Sequence, residues 1–138
     1  MAYQKIFLAL AGKKEEKKVI KEAMRLKKEF KAELTVFHVN DAGAGKVHAT
    51  MVEVPLHKEE DVRGWISDAG FKKEAGQVKI IIKESGHYAE EIAKATKPAD
   101  LLVIGHHHKN RFLAALMDST DEHVADLVSC PVLLVSMK

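Results

Sequence analysis

Unbroken aliphatic runs alternate along this chain with stretches of helical period. Ile6-Phe7-Leu8-Ala9-Leu10-Ala11 is the first run, and branched or aromatic residues with no polar alternation predict a strand buried on both faces. Gly12 turns it. From Lys13 to Lys31 the apolar residues Val19, Ile20, Ala23, Met24, Leu26 and Phe30 recur at helical spacing, with charges on the other side. Glu15 and Glu16 in the first turn and Lys27 and Lys28 near the last suit the helix dipole. Leu34-Thr35-Val36-Phe37-His38-Val39 predicts a second strand. Asn40 to Leu56 has two glycines, a proline and no clear period, and predicts a long excursion with a short strand at Met51–Val54. Lys58 to Glu74 predicts one helix through Val62, Trp65, Ile66, Ala69 and Phe71, weakened at Gly64 and Gly70 by about 1 kcal/mol each against alanine.

The second half repeats the alternation. Val78 to Ile82 is a third strand, and Lys79 and Lys83 predict that it lies at an edge of the sheet, where charge discourages unwanted pairing. Tyr88 to Thr96 is a short helix closed by Pro98. Leu101-Leu102-Val103-Ile104 is a fourth buried strand, with Gly105 expected to end it. Ser119 with Glu122 three residues on forms a capping box that predicts a helix from about Thr120 to Val128. Val132-Leu133-Leu134-Val135 is the last strand. Strands alternating with amphipathic helices imply α/β architecture: a five-stranded doubly wound parallel sheet of order 3-2-1-4-5, helices on both faces. Its switch point falls between the first and fourth strands, which predicts a crevice bordered by Ala11, Gly12, Val39 and Gly105.

Length and composition agree with one domain spanning 1–138. The single cysteine, Cys130, rules out an intramolecular disulfide and reads as a small buried residue rather than a nucleophile. No apolar run reaches spanning length and no signal peptide is evident, so the expected setting is cytoplasmic, with no membrane partner. A net charge of +2, with Lys and Glu interleaved, argues against nucleic acid as a partner. Lys far outnumbers Arg and Glu outnumbers Asp, a bias compatible with a thermophilic source.

Three motifs bear on chemistry. Gly43-Ala44-Gly45-Lys46 looks like a phosphate loop, but Asn40 and Val47 stand where the pattern needs a glycine and a hydroxyl. His106-His107-His108 invites a metal, yet three adjacent side chains do not converge readily on one ion, so no metal site is assigned. No nucleophile elbow or helical zinc motif occurs, so no catalytic residue is assigned. The remaining feature is a buried strand, a glycine and a helix N-terminus, an arrangement that receives anions; Ser119, Thr120 and Lys109 are its candidate anion-binding residues.

Ala99-Asp100-Leu101-Leu102-Val103-Ile104-Gly105 and Ser129-Cys130-Pro131-Val132-Leu133-Leu134-Val135, with the opening strand and His38-Val39, resemble the universal stress protein family over almost the whole chain. The resemblance implies the same doubly wound fold, a homodimer and a role in stress survival rather than one turnover reaction. Its ATP-binding members carry G-x-x-G-x9-G-[S/T] after the fourth strand and an Asp at the end of the first. Carried over, the cofactor positions are Val39, Gly105, His108 and Ser119, but His108 and Asp118 replace two glycines and Ala11 replaces the Asp. A β-carbon in a left-handed conformation at His108 costs about 1–2 kcal/mol. Asp118 beside a phosphate charge, at about 4 Å and an effective dielectric near 20, adds about 4 kcal/mol of repulsion. The sequence thus resembles the A-type, UspA-like branch, generally regarded as not binding ATP. The expectation is a dimeric stress protein with no tightly held cofactor; ATP at a rebuilt phosphate loop, with very slow hydrolysis, is the alternative. The uncharged last strand, Val132, Leu133, Leu134 and Val135, lies at the sheet edge and is the expected dimer interface.

Overall fold

A computed structural model describes residues 3–41, 56–106, 124 and 126–137. Its sheet has five parallel strands: β1 (Lys5–Ala9), β2 (Glu33–Asp41), β3 (Lys79–Ser85), β4 (Leu101–His106) and β5 (Val132–Ser136), in the order β3-β2-β1-β4-β5. The expected order and parallel sense are both present. β1 is central because its residues are apolar on both sides. Ile6 and Leu8 face one buried cluster, and Phe7 and Ala9 face the other.

The first cluster is roofed by α1 (Lys17–Phe30) and α2 (Glu59–Asp68), through Val19, Ile20, Ala23 and Met24 and through Val62 and Ile66. The second is roofed by α4 (Tyr88–Ala95), through Ala89 and Ile92, and by Val124, which is helical. Helices therefore cover both faces, as a sheet buried on both sides requires.

Four expectations change in detail. The helix read from Lys13 opens with a 3-10 turn at Lys14–Glu16 before α1. The single helix expected over Lys58–Glu74 is two, α2 and a short α3 (Lys72–Ala75). Gly70, at φ 101°, divides them, because a left-handed residue cannot continue a right-handed helix. Arg63 then clasps the second piece: its Nη1 donates to the Ala75 carbonyl at 2.5 Å and to that of Val78 at 3.2 Å, at the entry to β3. Asn40 and Asp41, expected in the excursion, belong to β2 and pair with Glu84 and Ser85. Gly105 does not end β4: Gly105 and His106 pair in register with Val135 and Ser136. The suggested strand at Met51–Val54, the Gly43–Lys46 segment and the Ser119 cap lie outside the described residues.

β3 and β5 form the edges of the sheet. Lys79 and Lys83 are exposed on β3, as expected of a guarded edge. On β5, Leu133 and Val135 lean on the first cluster and Val132 on the second, while Leu134 is 41% exposed.

Candidate functional site at the carboxyl end of the sheet

In open α/β sheets, ligands bind beyond the carboxyl ends of the strands where the winding reverses, here between β1 and β4. β1 gives way to Leu10, Ala11, Gly12 and Lys13. Gly12 has φ 90°, and a β-carbon there would meet Trp65 Cζ2 at 2.7 Å and Cη2 at 2.9 Å. Only glycine suits both the backbone and the indole wall. The Leu10 amide still bonds the Phe37 carbonyl of β2, and the next three amides converge on one carboxylate. Glu16 Oε2 accepts from the Ala11 amide at 2.8 Å, and Oε1 accepts from Gly12 at 2.8 Å and Lys13 at 2.9 Å. Glu16 is only 5% exposed. An acid at this point in a helix commonly caps one amide, but here it takes three.

The end of β2 is closed by a second polar group. His38, buried to 4% exposure, has Nδ1 at 2.7 Å from the Leu10 carbonyl and Nε2 at 3.0 Å from Asn40 Oδ1. Asn40 is oriented by the backbone of His57: its Nδ2 donates to the His57 carbonyl at 2.8 Å, and its Oδ1 accepts from the His57 amide at 2.9 Å. Both partners of the His38 ring are thus acceptors, and the tautomer sets which ring nitrogen donates. The rings of His38, His57 and Trp65 meet edge to face in all three pairings, with centroids 4.9–5.3 Å apart. Asp61 adds charge at the rim, its Oδ2 lying 3.8 Å from His57 Nδ1 while accepting from the Lys58 amide at 2.8 Å. A shallow cleft of about 190 Å³ remains beside this group, lined by Gly12, Lys13, Lys14, Lys17, Trp65 and Asp68 among others.

The predicted site residues fare unequally. Val39 is buried in the second cluster and pairs with Lys83. Gly105 lies at the same end of the sheet, but its absent β-carbon points to the first cluster, where Met137 Sδ would be 2.7 Å away and Val19 Cγ2 3.0 Å. His108, Lys109, Ser119 and Thr120 lie outside the described residues, as do Asp118, Arg111 and two of the three adjacent histidines. His106 continues β4. Among the described residues, no group of three or more His, Cys, Asp and Glu side chains is placed to hold a metal ion. No helix of the described residues is long and apolar enough to cross a membrane.

Two groups, Tyr88 at the carboxyl end of the sheet and Cys130 just before β5 at the opposite end, have displaced proton affinities. The Tyr88 phenol, at the start of α4, is held well above its ordinary range by burial and then by the Glu16 carboxylate. The Cys130 thiol is raised mainly by its partial burial against the second cluster. Neither shift produces a nucleophile at neutral pH, since each favours the protonated form.

Sequence reasoning did not single out Glu16, His38, Asn40, His57 or Trp65 as site residues. Glu16 carried the signal of a first-turn acid. His38 and Asn40 carried a clearer one, since residues two apart on a strand share a face.

The sequence profile described as the Universal stress protein family matches residues 2–136. The chain belongs to the universal stress protein family. Universal stress protein YxiE of Bacillus subtilis (strain 168) is 27% identical over 146 residues, which cover 96% of this chain and 99% of that protein. Among solved structures, a universal stress protein in complex with cAMP superposes with a TM-score of 0.69 at 18% identity, over 100% of both chains. The universal stress protein from Archaeoglobus fulgidus in complex with dAMP gives a TM-score of 0.58 at 19% identity, over 98% of this chain and 99% of that one. At these identities the structural likeness establishes the shared fold, a parallel sheet with the order found above.

Proposed function

We propose that this chain is a cytoplasmic, homodimeric universal stress protein of the A type, which acts by association and holds no ATP tightly. The observation that carries the reading is Glu16. Where ATP-binding members carry an Asp at the end of the first strand, this chain has Ala11, and a carboxylate arrives there from the next turn instead. Its oxygens already accept three backbone amides, so it offers a nucleotide little beyond its charge. The replacement of two motif glycines by His108 and Asp118 supports the same reading. Dimerisation through Val132–Val135 is supported by the edge position of β5 and by Leu134 on it, which is 41% exposed.

Titration of the purified protein with MgATP by calorimetry is expected to give no binding in the micromolar range; micromolar or tighter affinity would overturn the reading. The triple change Ala11→Asp, His108→Gly, Asp118→Gly should bind nucleotide better than the parent. Sedimentation at micromolar concentration should show a dimer that Leu134→Lys or Val132→Pro shifts toward monomer, and a parent that sediments only as monomer would refute the interface.

The alternative is a nucleotide-binding protein with a rebuilt phosphate loop. Two structures of the same fold, in complex with cAMP and dAMP, favour it. A monophosphate carries less charge than triphosphate toward Asp118 and needs fewer amides. In that case Ser119, Thr120 and Lys109 hold the phosphate, and mass spectrometry of the denatured protein should show a co-purified nucleotide.

A further inference from the structure

Lys and Glu are interleaved along the sequence, but the helical period separates them in space. Residues 13–31 hold nine of the chain's 22 Lys and Arg and four of its 20 Asp and Glu, a local charge of +5; the rest of the chain is therefore −3. At 100° per residue, Lys17, Lys18, Lys21, Arg25 and Lys28 of α1 fall within one arc about 100° wide, and all five are exposed. The arc lies opposite Val19, Ile20 and Ala23, which are buried in the first cluster. It forms a row about 17 Å long, with Lys13 and Lys14 at its head and Lys31 at its foot. Glu22 and Glu29 of α1 lie seven residues apart beside the row, with Glu15 seven residues before them. Glu22 pairs with Arg25. Glu16, the fourth acid of the segment, is buried on its three amides and does not face outward.

We infer that the outer face of α1 is a docking surface for an acidic helical segment of a partner protein. A row of cations at the pitch of an α-helix, bounded on one side by anions at the same pitch, complements a helix carrying a glutamate row with basic residues beside it. The acid row and the net negative charge of the rest of the chain disfavour a nucleic-acid duplex or an anionic bilayer, since broad anionic surfaces meet both. The inference rests on the association reading above by giving the partner's chemistry. It fails separately from the ATP and β5 measurements, because it concerns only α1.

The test uses a fluorescein-labelled, alanine-based 18-residue peptide with glutamates at i, i+4, i+7 and i+11, and a scrambled peptide of the same composition. Anisotropy titrations of the full chain in low salt should show binding of the patterned peptide at least tenfold tighter than of the scrambled one. The variant Lys17→Gln, Lys21→Gln, Lys28→Gln should weaken patterned binding at least tenfold, since glutamine keeps helix propensity. The variant Lys72→Gln, Lys79→Gln, Lys83→Gln removes the same net charge elsewhere and should change it less than twofold. Equal binding of the two peptides, equal effects of the two variants, or tighter binding of duplex DNA or anionic vesicles than of the patterned peptide would each overturn the inference.

Discussion

Gly12 and Gly105 stand at the carboxyl ends of adjacent strands, both at the border of the expected crevice, and both make room for a protein side chain. At Gly12 the neighbour is the Trp65 indole, a rigid plate held edge to face with two histidine rings. At Gly105 the nearest atom is the sulfur of Met137, the far part of an unbranched side chain near the end of the chain. Gly12 has φ 90°; Gly105 is not among the positive-φ glycines and continues a strand. A missing β-carbon in a loop with left-handed backbone is thus a different device from one inside a ladder, although both read as crevice glycines in a sequence. The first shapes a turn around an aromatic wall, and the second lets a strand run beneath a packed side chain.

The largest effect is expected at the first. Gly12→Ala adds left-handed strain of about 1–2 kcal/mol and drives a methyl against an indole that cannot turn aside, for about 2–4 kcal/mol in all. At roughly 4 °C per kcal/mol for a domain of this size, thermal melting should fall by about 8–16 °C, and Trp65 fluorescence should shift because the ring is displaced. A loss below about 1 kcal/mol would show that Gly12 and Trp65 do not meet as described.

Glu16→Ala comes next. It leaves three amides without the acceptor that gathers them. Ala11 and Gly12 are exposed, so water can replace part of the loss, and the expected cost is about 2 kcal/mol. Glu16→Gln keeps acceptor oxygen but loses the charge and should cost about half as much. Denaturant melts of the two variants rank them, and equal costs would mean that the charge contributes nothing.

Gly105→Ala should cost less, about 1–2 kcal/mol, because Met137 can swing away while Val19 Cγ2, on a buried β-branched side chain, yields less. The double change Gly105→Ala, Met137→Ala should recover at least half of that in a double-mutant cycle. No recovery would place the conflict on Val19 instead.

The fold was legible because its signals are long and redundant. Ile6–Leu10 and Leu101–Ile104 are aliphatic without interruption, which fixes them as central strands, and Lys79 and Lys83 mark an edge. Gly70 was legible as a weak point of a helix but not as its end, because only a positive φ turns a tolerated glycine into a terminator. The site was harder to read because its contacts are long-range. Nothing in the spacing of Leu10, His38 and His57 announces that a carbonyl, an imidazole and a backbone amide pair meet through Asn40. Glu16 is the intermediate case. Its capping was foreseeable from helix chemistry, while its capture of the Ala11 amide depends on how the turn at Gly12 folds back.

The smallest effect concerns the opposite end of the sheet, where no glycine is involved and a carboxylate again gathers amides. Asp100 Oδ2 accepts from the Gln4 amide at 2.9 Å and the Lys5 amide at 2.8 Å, fastening the entry of β1 to that of β4. Glu16 does this work in a buried site and Asp100 in an exposed one, so water competes more strongly for Asp100. The bonds to Gln4 and then Lys5 hold the Asp100 carboxyl below its ordinary value despite some desolvation. A folded value below the unfolded one means that the native state favours the ionised form. The contribution is fully present above the unfolded value of about 3.9 and is lost as pH falls through the depressed folded value. Asp100→Asn should therefore melt slightly below the parent at pH 7 and above, and the gap should close below about pH 4. Paired thermal melts from pH 7 to pH 2.5 measure it. A gap that stays constant across that range would assign the effect to the shape of the side chain rather than its charge.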